Sequence, residues 1–190
     1  MAAAAEEHGL EFEVEWSPFI LDPSLPMPPT TIDKVEYLSG RLGGKATLDG
    51  MMPVLIKMFE DEGLPALKYE GQTGHPIDGH RLLDYARTLP DPHRTQTALK
   101  DALLTQYFHH GRSMTDHDAL LSAAEVAGLD LARAKAVLAS DAHKDEVLDR
   151  HAQAKASGIS AVPVYRINGE IIPGGSGAEF LKAFGKLAAQ

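Results

Sequence analysis

The stretch Gly-Ile-Ser-Ala-Val-Pro-Val-Tyr-Arg-Ile-Asn-Gly at residues 158–169 decides how this chain is interpreted. Its apolar and β-branched residues predict a strand over residues 161–167. The Asn168-Gly169 pair is favoured in a type I′ hairpin turn, so we expect a second strand to return over residues 170–172. Gly158 is expected to end a preceding helix, since glycine takes the left-handed conformation that commonly follows a last helical turn. The stretch therefore predicts a helix end followed by a β-hairpin.

Helical patterns fill most of the chain before this hairpin and return after it. Apolar spacing, capping residues and stop signals place helices at residues 31–42, 45–62, 75–87, 95–109, 116–127, 130–138, 143–157 and 178–188. Near the start, Phe12, Val14 and Trp16 alternate with glutamates, which is the period of a half-buried strand. Because β segments flank the helices, the order predicts an α/β domain with an inserted α-helical subdomain.

The composition limits the chemistry that these residues can perform. The 190 residues contain no cysteine and carry a formal net charge of −9. Without a thiolate they can neither exchange disulfides nor build a zinc–thiolate site, and no other spacing indicates a metal site. The acidic balance argues against nucleic acid and anionic membranes as partners. The sequence shows no bilayer-spanning apolar run and no signal peptide, so we expect a cytoplasmic location.

Three segments carry a resemblance to a known family. Residues 158–169 closely resemble the Gly-(Ile/Val)-x-(Gly/Ser)-Val-Pro-x-Phe-x-(Ile/Val)-(Asn/Asp)-Gly signature of DsbA-like thioredoxin-fold proteins. Residues 16–23, Trp-Ser-Pro-Phe-Ile-Leu-Asp-Pro, and residues 77–83 resemble segments of the FrnE-like branch. That branch is related to kappa-class glutathione transferases and to 2-hydroxychromene-2-carboxylate isomerases. The resemblance implies a thioredoxin-like sheet with an inserted helical subdomain.

The resemblance also implies a domain plan and a departure from it. Residues 1–190 are expected to form a single domain, with thioredoxin-fold parts at 11–23 and 158–190 and a helical insert at 30–157. Relatives begin with a strand and a helix that carries Cys-x-x-Cys or a serine, whereas residues 2–9 here resemble only that helix's tail. We therefore expect the first strand and the start of the first helix to be missing. A longer natural protein, a strand-donating partner or second copy, and a re-paired sheet remain open alternatives.

A binding platform follows from the same resemblance. In relatives the proline of the Val-Pro step is cis, and the residue before it pairs through its backbone with an extended, thiol-bearing ligand. By this resemblance Val162 and Pro163 are candidate substrate-binding residues. Trp16, Phe19 and His80 are expected to lie beside them, although packing alone would also account for His80.

A second implied site precedes the last predicted helix. Gly174, Gly175 and Ser176 lie where relatives carry a conserved turn, and their backbone N–H groups are candidate ligands for a carboxylate such as that of glutathione. A plain helix-entry loop is the alternative interpretation of these residues. Glutathione is the only cofactor that the sequence brings into consideration.

Three functional hypotheses follow. The favoured one is a DsbA/FrnE-like protein of the oxidoreductase family that lacks its own redox dithiol and binds a peptide or small thiol at Val162-Pro163. The second is a glutathione-dependent isomerase or transferase of kappa type, which needs no protein cysteine. The third is a pseudoenzyme that assembles with a partner protein or as a homodimer.

Overall fold

The structure is a computed structural model that describes residue 6, residues 9–173 and residues 177–188. The chain divides into two compact units. We call Glu15–His151 the helical unit, and Met1–Val14 together with Ala152–Gln190 the hairpin unit. The helical insert predicted over residues 30–157 has different bounds and stays a prediction.

The helical unit begins with a short strand and is mainly a set of packed helices. Its elements are β1 (Ile32–Asp33), α1 (Lys34–Arg41), α2 (Lys45–Asp61), β2 (Gln72–Thr73), α3 (Ile77–Arg87), α4 (Pro92–Phe108), α5 (His117–Val126), α6 (Leu131–Leu138) and the first part of α7 (Lys144–Ala156). Strands β1 and β2 pair antiparallel, with Ile32 opposite Thr73. The predicted helices are therefore present, with small shifts at their ends.

Side-chain caps explain where several helices begin. The carboxylates of Asp33, Asp116 and Asp130 accept hydrogen bonds from first-turn N–H groups of α1, α5 and α6. These N–H groups have no partner inside the helix, so an aspartate at this position stabilises the helix by about 1 kcal/mol. The predicted caps at Asp116 and Asp130 are confirmed.

Two helix starts differ from the prediction because of proline. Helix α3 begins at Ile77 rather than at residue 75, with Pro76 as its N-cap residue. Helix α4 begins at Pro92, three residues before the predicted start. The fixed φ of a proline suits the first helical position, where its missing N–H costs nothing. Asp91, in the left-handed region with φ 53°, directs the chain into α4.

The core of the helical unit lies among α3, α4, α5 and α6. Leu82, Leu99 and Leu120 are each at most 1% exposed and contribute from three different helices. Burying a leucine side chain contributes roughly 1.5–3 kcal/mol. The remaining members of this cluster are Tyr85, Ala86, Ala102, Leu103, Ala123, Ala124, Leu129, Ala134, Val137 and Leu138.

The hairpin unit contains the end of α7, β3 (Val164–Ile167), β4 (Glu170–Pro173) and α8 (Gly177–Ala188). Strands β3 and β4 pair antiparallel, with Ile167 opposite Glu170. Asn168 and Gly169 between them have φ values of 46° and 92°. Positive φ at both central residues is what a type I′ turn requires, so the predicted hairpin is confirmed.

Aromatic contacts hold the hairpin unit together. The Tyr165 ring meets the Phe180 ring edge-on, with 4.6 Å between centroids. Phe12 meets Phe184 in the same way at 4.9 Å, and Phe184 is only 7% exposed. Strand β3, helix α8 and the segment that contains Phe12 are therefore joined by side-chain packing.

The strand predicted around Phe12, Val14 and Trp16 is wrong. The alternation of exposed glutamates with half-buried apolar residues is present, but residues 11–16 belong to neither strand pair in the described part of the chain. A period of two shows which side chains are buried and does not by itself provide a neighbouring strand.

Within the described ranges, every helix is too short or too polar to traverse a lipid bilayer.

Candidate functional site

Phe19 and His80, two of the predicted site residues, lie together in the helical unit. The His80 ring on α3 hydrogen-bonds to the Phe19 backbone. His151 on α7 contacts the same segment, because its Nδ1 accepts the Ile20 N–H at 3.2 Å. The Phe19 and His151 rings meet edge-on with 5.2 Å between centroids. Two histidines from separate helices thus hold the segment at Phe19, and its role in binding stays a prediction.

A third histidine completes what we call the histidine cluster, namely His75, His80 and His151. His75 is 5% exposed, and its buried Nδ1 has no hydrogen-bond partner. Burial lowers the pKa of His80 to about 4, and the nearby His75 and His151 act in the same direction. Burial also lowers the pKa of His75, while Asp78 and Asp22 oppose this shift. His75 and His80 are therefore neutral at pH 7.

This cluster predicts how stability changes with pH. His80 has a folded-state pKa of about 4 against an ordinary value of 6.5, so the unfolded chain binds the extra proton first. Stability from the neutral ring is complete above pH 6.5 and is lost as the pH falls towards 4. We expect urea unfolding at pH 7 and pH 5 to show a loss on the order of 1 kcal/mol per pH unit from this group.

A His80→Gln variant isolates that contribution, because glutamine keeps a hydrogen-bonding side chain and does not titrate. Its unfolding free energy should fall less steeply between pH 7 and pH 5 than that of the wild type. Above pH 7 the unfolding free energies of the two proteins should change in parallel, because His80 is neutral there in both the folded and the unfolded chain. Equal slopes in the wild type and His80→Gln would show that His80 is not held neutral by burial.

Trp16 is held by α4. Its backbone N–H donates to Oε1 of Gln96 at 3.0 Å, and its carbonyl accepts from Nε2 of Gln96 at 3.2 Å. The indole N–H donates to Thr97 at 3.0 Å, and Nζ of Lys100 lies 4.2 Å from the ring centroid. The side chain of Gln96 therefore makes the two hydrogen bonds that a neighbouring strand would have made with Trp16.

Val162 and Pro163 belong to the hairpin unit, and their peptide bond is cis. Val162 is 43% exposed and makes no hydrogen bond among the described residues. Strand β3, which starts two residues later, pairs only with β4 within the described ranges, so no described strand occupies its other edge. Gly174, Gly175 and Ser176 lie outside the described residues.

A buried ionic network in the helical unit is a feature that sequence reasoning missed. Arg81 is 4% exposed and Asp78 is 5% exposed, and Arg81 donates to Oδ1 of Asp78 at 2.7 Å. His117 contacts the other oxygen, Oδ2 of Asp78, at 2.8 Å. Asp78 and Arg81 lie three residues apart on α3, a spacing at which side chains can pair, but the sequence does not indicate that the pair is buried or that His117 on α5 contacts it.

No group of three or more histidine, aspartate or glutamate side chains among the described residues has the geometry to hold a metal ion.

Comparisons with known proteins agree with this architecture. A sequence profile of the DSBA-like thioredoxin domain matches residues 1–184. The chain is 29% identical over 181 residues to YwbO of Bacillus subtilis strain 168, described as an uncharacterized protein, and the match covers 93% of this chain and 84% of YwbO. These matches, together with the structural matches below, confirm the predicted class, a DsbA-like thioredoxin fold with a helical insertion.

Two solved structures are also similar. The crystal structure of a probable DsbA oxidoreductase from Streptomyces coelicolor has a TM-score of 0.75 and 27% identity, over 90% of this chain and 73% of that one. A 2-hydroxychromene-2-carboxylate isomerase has a TM-score of 0.66 and 18% identity, over 100% of this chain and 87% of that one. The second likeness shows the fold alone.

Proposed function

The chain belongs to the DSBA-like thioredoxin domain family, and from this premise we propose that it binds a peptide or small thiol ligand at Val162-Pro163. The observation that carries the proposal is the edge of β3 that no described strand occupies. An extended ligand gains main-chain hydrogen bonds when it adds to such an edge, and exposed neighbouring side chains give specificity. Val162 and Tyr165, which are 43% and 38% exposed, provide apolar surface for that purpose.

We expect the chain to bind a thiol ligand without thiol–disulfide exchange. The family includes thiol–disulfide oxidoreductases, but these 190 residues contain no cysteine. A bound thiol therefore has no cysteine thiol or disulfide of this chain to exchange with, and we propose that the platform holds its ligand without redox turnover. An insulin-reduction assay on the purified chain is expected to give no activity.

The test is a titration of the isotope-labelled full chain, followed by backbone amide chemical shifts. Reduced glutathione and a short cysteine-containing peptide are the two probes. We expect saturable shifts at Val162 and at the residues of β3, with at least one probe binding at micromolar to millimolar strength. The absence of shifts at β3 with both probes would contradict the proposal.

A matched pair of variants makes the test specific. Val162→Asp places a carboxylate on the proposed platform, and we expect it to weaken glutathione binding about tenfold or more, because like charges repel. Val126→Asp is the control, since Val126 is 76% exposed at the end of α5 in the helical unit. The same loss of affinity in both variants would show that the effect is not local to Val162.

The same experiment addresses the alternatives. The neighbour named as a 2-hydroxychromene-2-carboxylate isomerase makes a glutathione-dependent isomerase or transferase of kappa type the second candidate. Binding of glutathione without binding of the peptide would favour it. Sedimentation that shows a dimer, with β3 amides protected from exchange, would favour a second copy or partner protein at the same edge.

We also propose a cytoplasmic location, supported by the lack of disulfides on which many exported small domains depend.

A further inference from the structure

A pocket of about 390 Å³ opens within the helical unit, where α3, α5, α6 and α7 meet the loop that contains Pro28. Part of its wall is apolar, formed by Met27, the Pro28-Pro29 pair, Ile77 and Leu138. The volume falls in the range of roughly 300–1,000 Å³ that is typical of small-molecule sites. Among the described residues, none of those predicted to bind ligand lines this pocket.

The Asp78 carboxylate on the polar wall is already bound to protein groups, whereas Asp141, which also lines the pocket, is 85% exposed and pairs through Oδ1 with Lys144. Both carboxylate oxygens of Asp78 are engaged, one by Arg81 and the other by His117. Arg81 uses four of its five N–H groups, one for Asp78 and three for the carbonyls of Ala142, at 2.9 Å, Val137 and Ser140. The Asp78–Arg81 pair is therefore a neutral, buried support rather than a ligand-binding group.

Besides Asp141, the side chains of Lys144 and His117 on the pocket wall keep unused hydrogen-bonding capacity. Lys144, the first residue of α7, makes one ion pair, to Asp141 at 3.0 Å, and its side chain is 38% exposed. An ammonium has three donors, so Lys144 can also contact an anion. His117 contacts Asp78 through Nε2, and since a carboxylate only accepts, that nitrogen carries a proton. In the tautomer protonated only at Nε2, Nδ1 is an acceptor for a donor group.

We propose that this pocket binds a small amphipathic hydroxycarboxylate. The carboxylate contacts Lys144, the hydroxyl donates to Nδ1 of His117, and the aliphatic part packs against Ile77 and Leu138. Lys144 is the first residue of α7, and the positive end of this helix adds to the preference for an anion. The proposal does not depend on the platform at Val162.

The probe is 2-hydroxyhexanoate, titrated into the isotope-labelled full chain and followed by backbone amide shifts. Hexanoate, which lacks the hydroxyl, and 2-hydroxyhexanamide, which lacks the charge, are the comparison ligands. We expect 2-hydroxyhexanoate to shift the amides of Ile77, His117 and Lys144. Each comparison ligand should bind about fivefold more weakly, the factor expected for one partly exposed polar contact.

Variants assign each contact to its side chain. Lys144→Met should remove the preference for the carboxylate over the amide, and His117→Phe should remove the preference for the hydroxyl. Lys57→Met is the matched control, because Lys57 makes a similar exposed ion pair, to Asp61 on α2, and does not line the pocket. The proposal is overturned if the amide binds the wild type as tightly as the carboxylate, if Lys144→Met keeps the preference, or if the shifted amides lie outside the pocket.

Discussion

Replacing Arg81 by methionine should lower the free energy of unfolding by about 3–5 kcal/mol, the typical cost of breaking a buried ion pair from one side. Methionine preserves much of the arginine's volume and removes its charge and all of its donors. The Asp78 carboxylate, 5% exposed, then keeps only its contact with His117. The carbonyls of Ser140 and Ala142 lose this donor after the end of α6, while the Val137 carbonyl keeps the N–H and the hydroxyl of Ser140.

The neighbouring Arg87→Met provides a matched control on the same helix. Arg87 also pairs with an aspartate three residues earlier, at 3.0 Å to Asp84, but its side chain is 33% exposed. Asp84 keeps His143 as a partner at 2.8 Å after the change. We expect a loss of only about 1 kcal/mol or less, as for other partly exposed pairs. Urea unfolding of both variants gives the comparison, and equal losses would refute a special role for the buried position of Arg81.

Local signals in the sequence account for most of the helices and for the hairpin. An aspartate cap such as Asp116 or Asp130 acts on N–H groups two and three residues away, so its effect is visible in a short window of sequence. The same holds for Asn168-Gly169, whose positive φ values depend on the two residues themselves. Elements defined by such short-range chemistry were predicted with their ends correct to within a few residues.

Contacts between distant residues could not be predicted in this way. Trp16 looked like part of a strand because its side chain alternates with exposed glutamates. Its backbone is instead bound by the side chain of Gln96, 80 residues further along the chain. His151 likewise shows no local sign that it will meet Ile20, 131 residues earlier. Only the packing of α4 and α7 against the segment at residues 16–20 creates these contacts.

For the candidate site as well, the sequence indicated some of the residues and missed others. The family resemblance pointed to Phe19 and His80, and the structure places their segments in contact through a hydrogen bond to the Phe19 backbone. The family resemblance did not indicate that His75 is a buried ring with an unpaired Nδ1, and it did not indicate the pocket beside Asp78. Both depend on how α3 is packed, and helix packing is set by the whole core rather than by any one segment.

A Gly71→Ala substitution should be at least as damaging as Arg81→Met. Gly71 has φ +117°, and a Cβ added there would lie 2.1 Å from the carbonyl oxygen of Gly111. That oxygen accepts the N–H of Gln72 at 3.2 Å, and the Gly71 carbonyl accepts the N–H of Lys34 at 2.9 Å. The methyl group would therefore push apart the backbone that holds β2 and the start of α1, at a cost of about 4 kcal/mol or more.

A Gly43→Ala variant measures the cost of placing alanine at a positive φ without a steric clash. Gly43 also has a positive φ, +84°, but a Cβ there would meet nothing within 4 Å. The strain of placing alanine in this region costs roughly 1 kcal/mol on its own, so that is the loss we expect at Gly43. Urea unfolding of the two variants measures the difference in their unfolding free energies. If Gly71→Ala is no less stable than Gly43→Ala, the backbones at residues 71 and 111 do not approach as closely as described. If it is less stable by several kcal/mol, the fold requires this close approach, and only glycine at position 71 allows it.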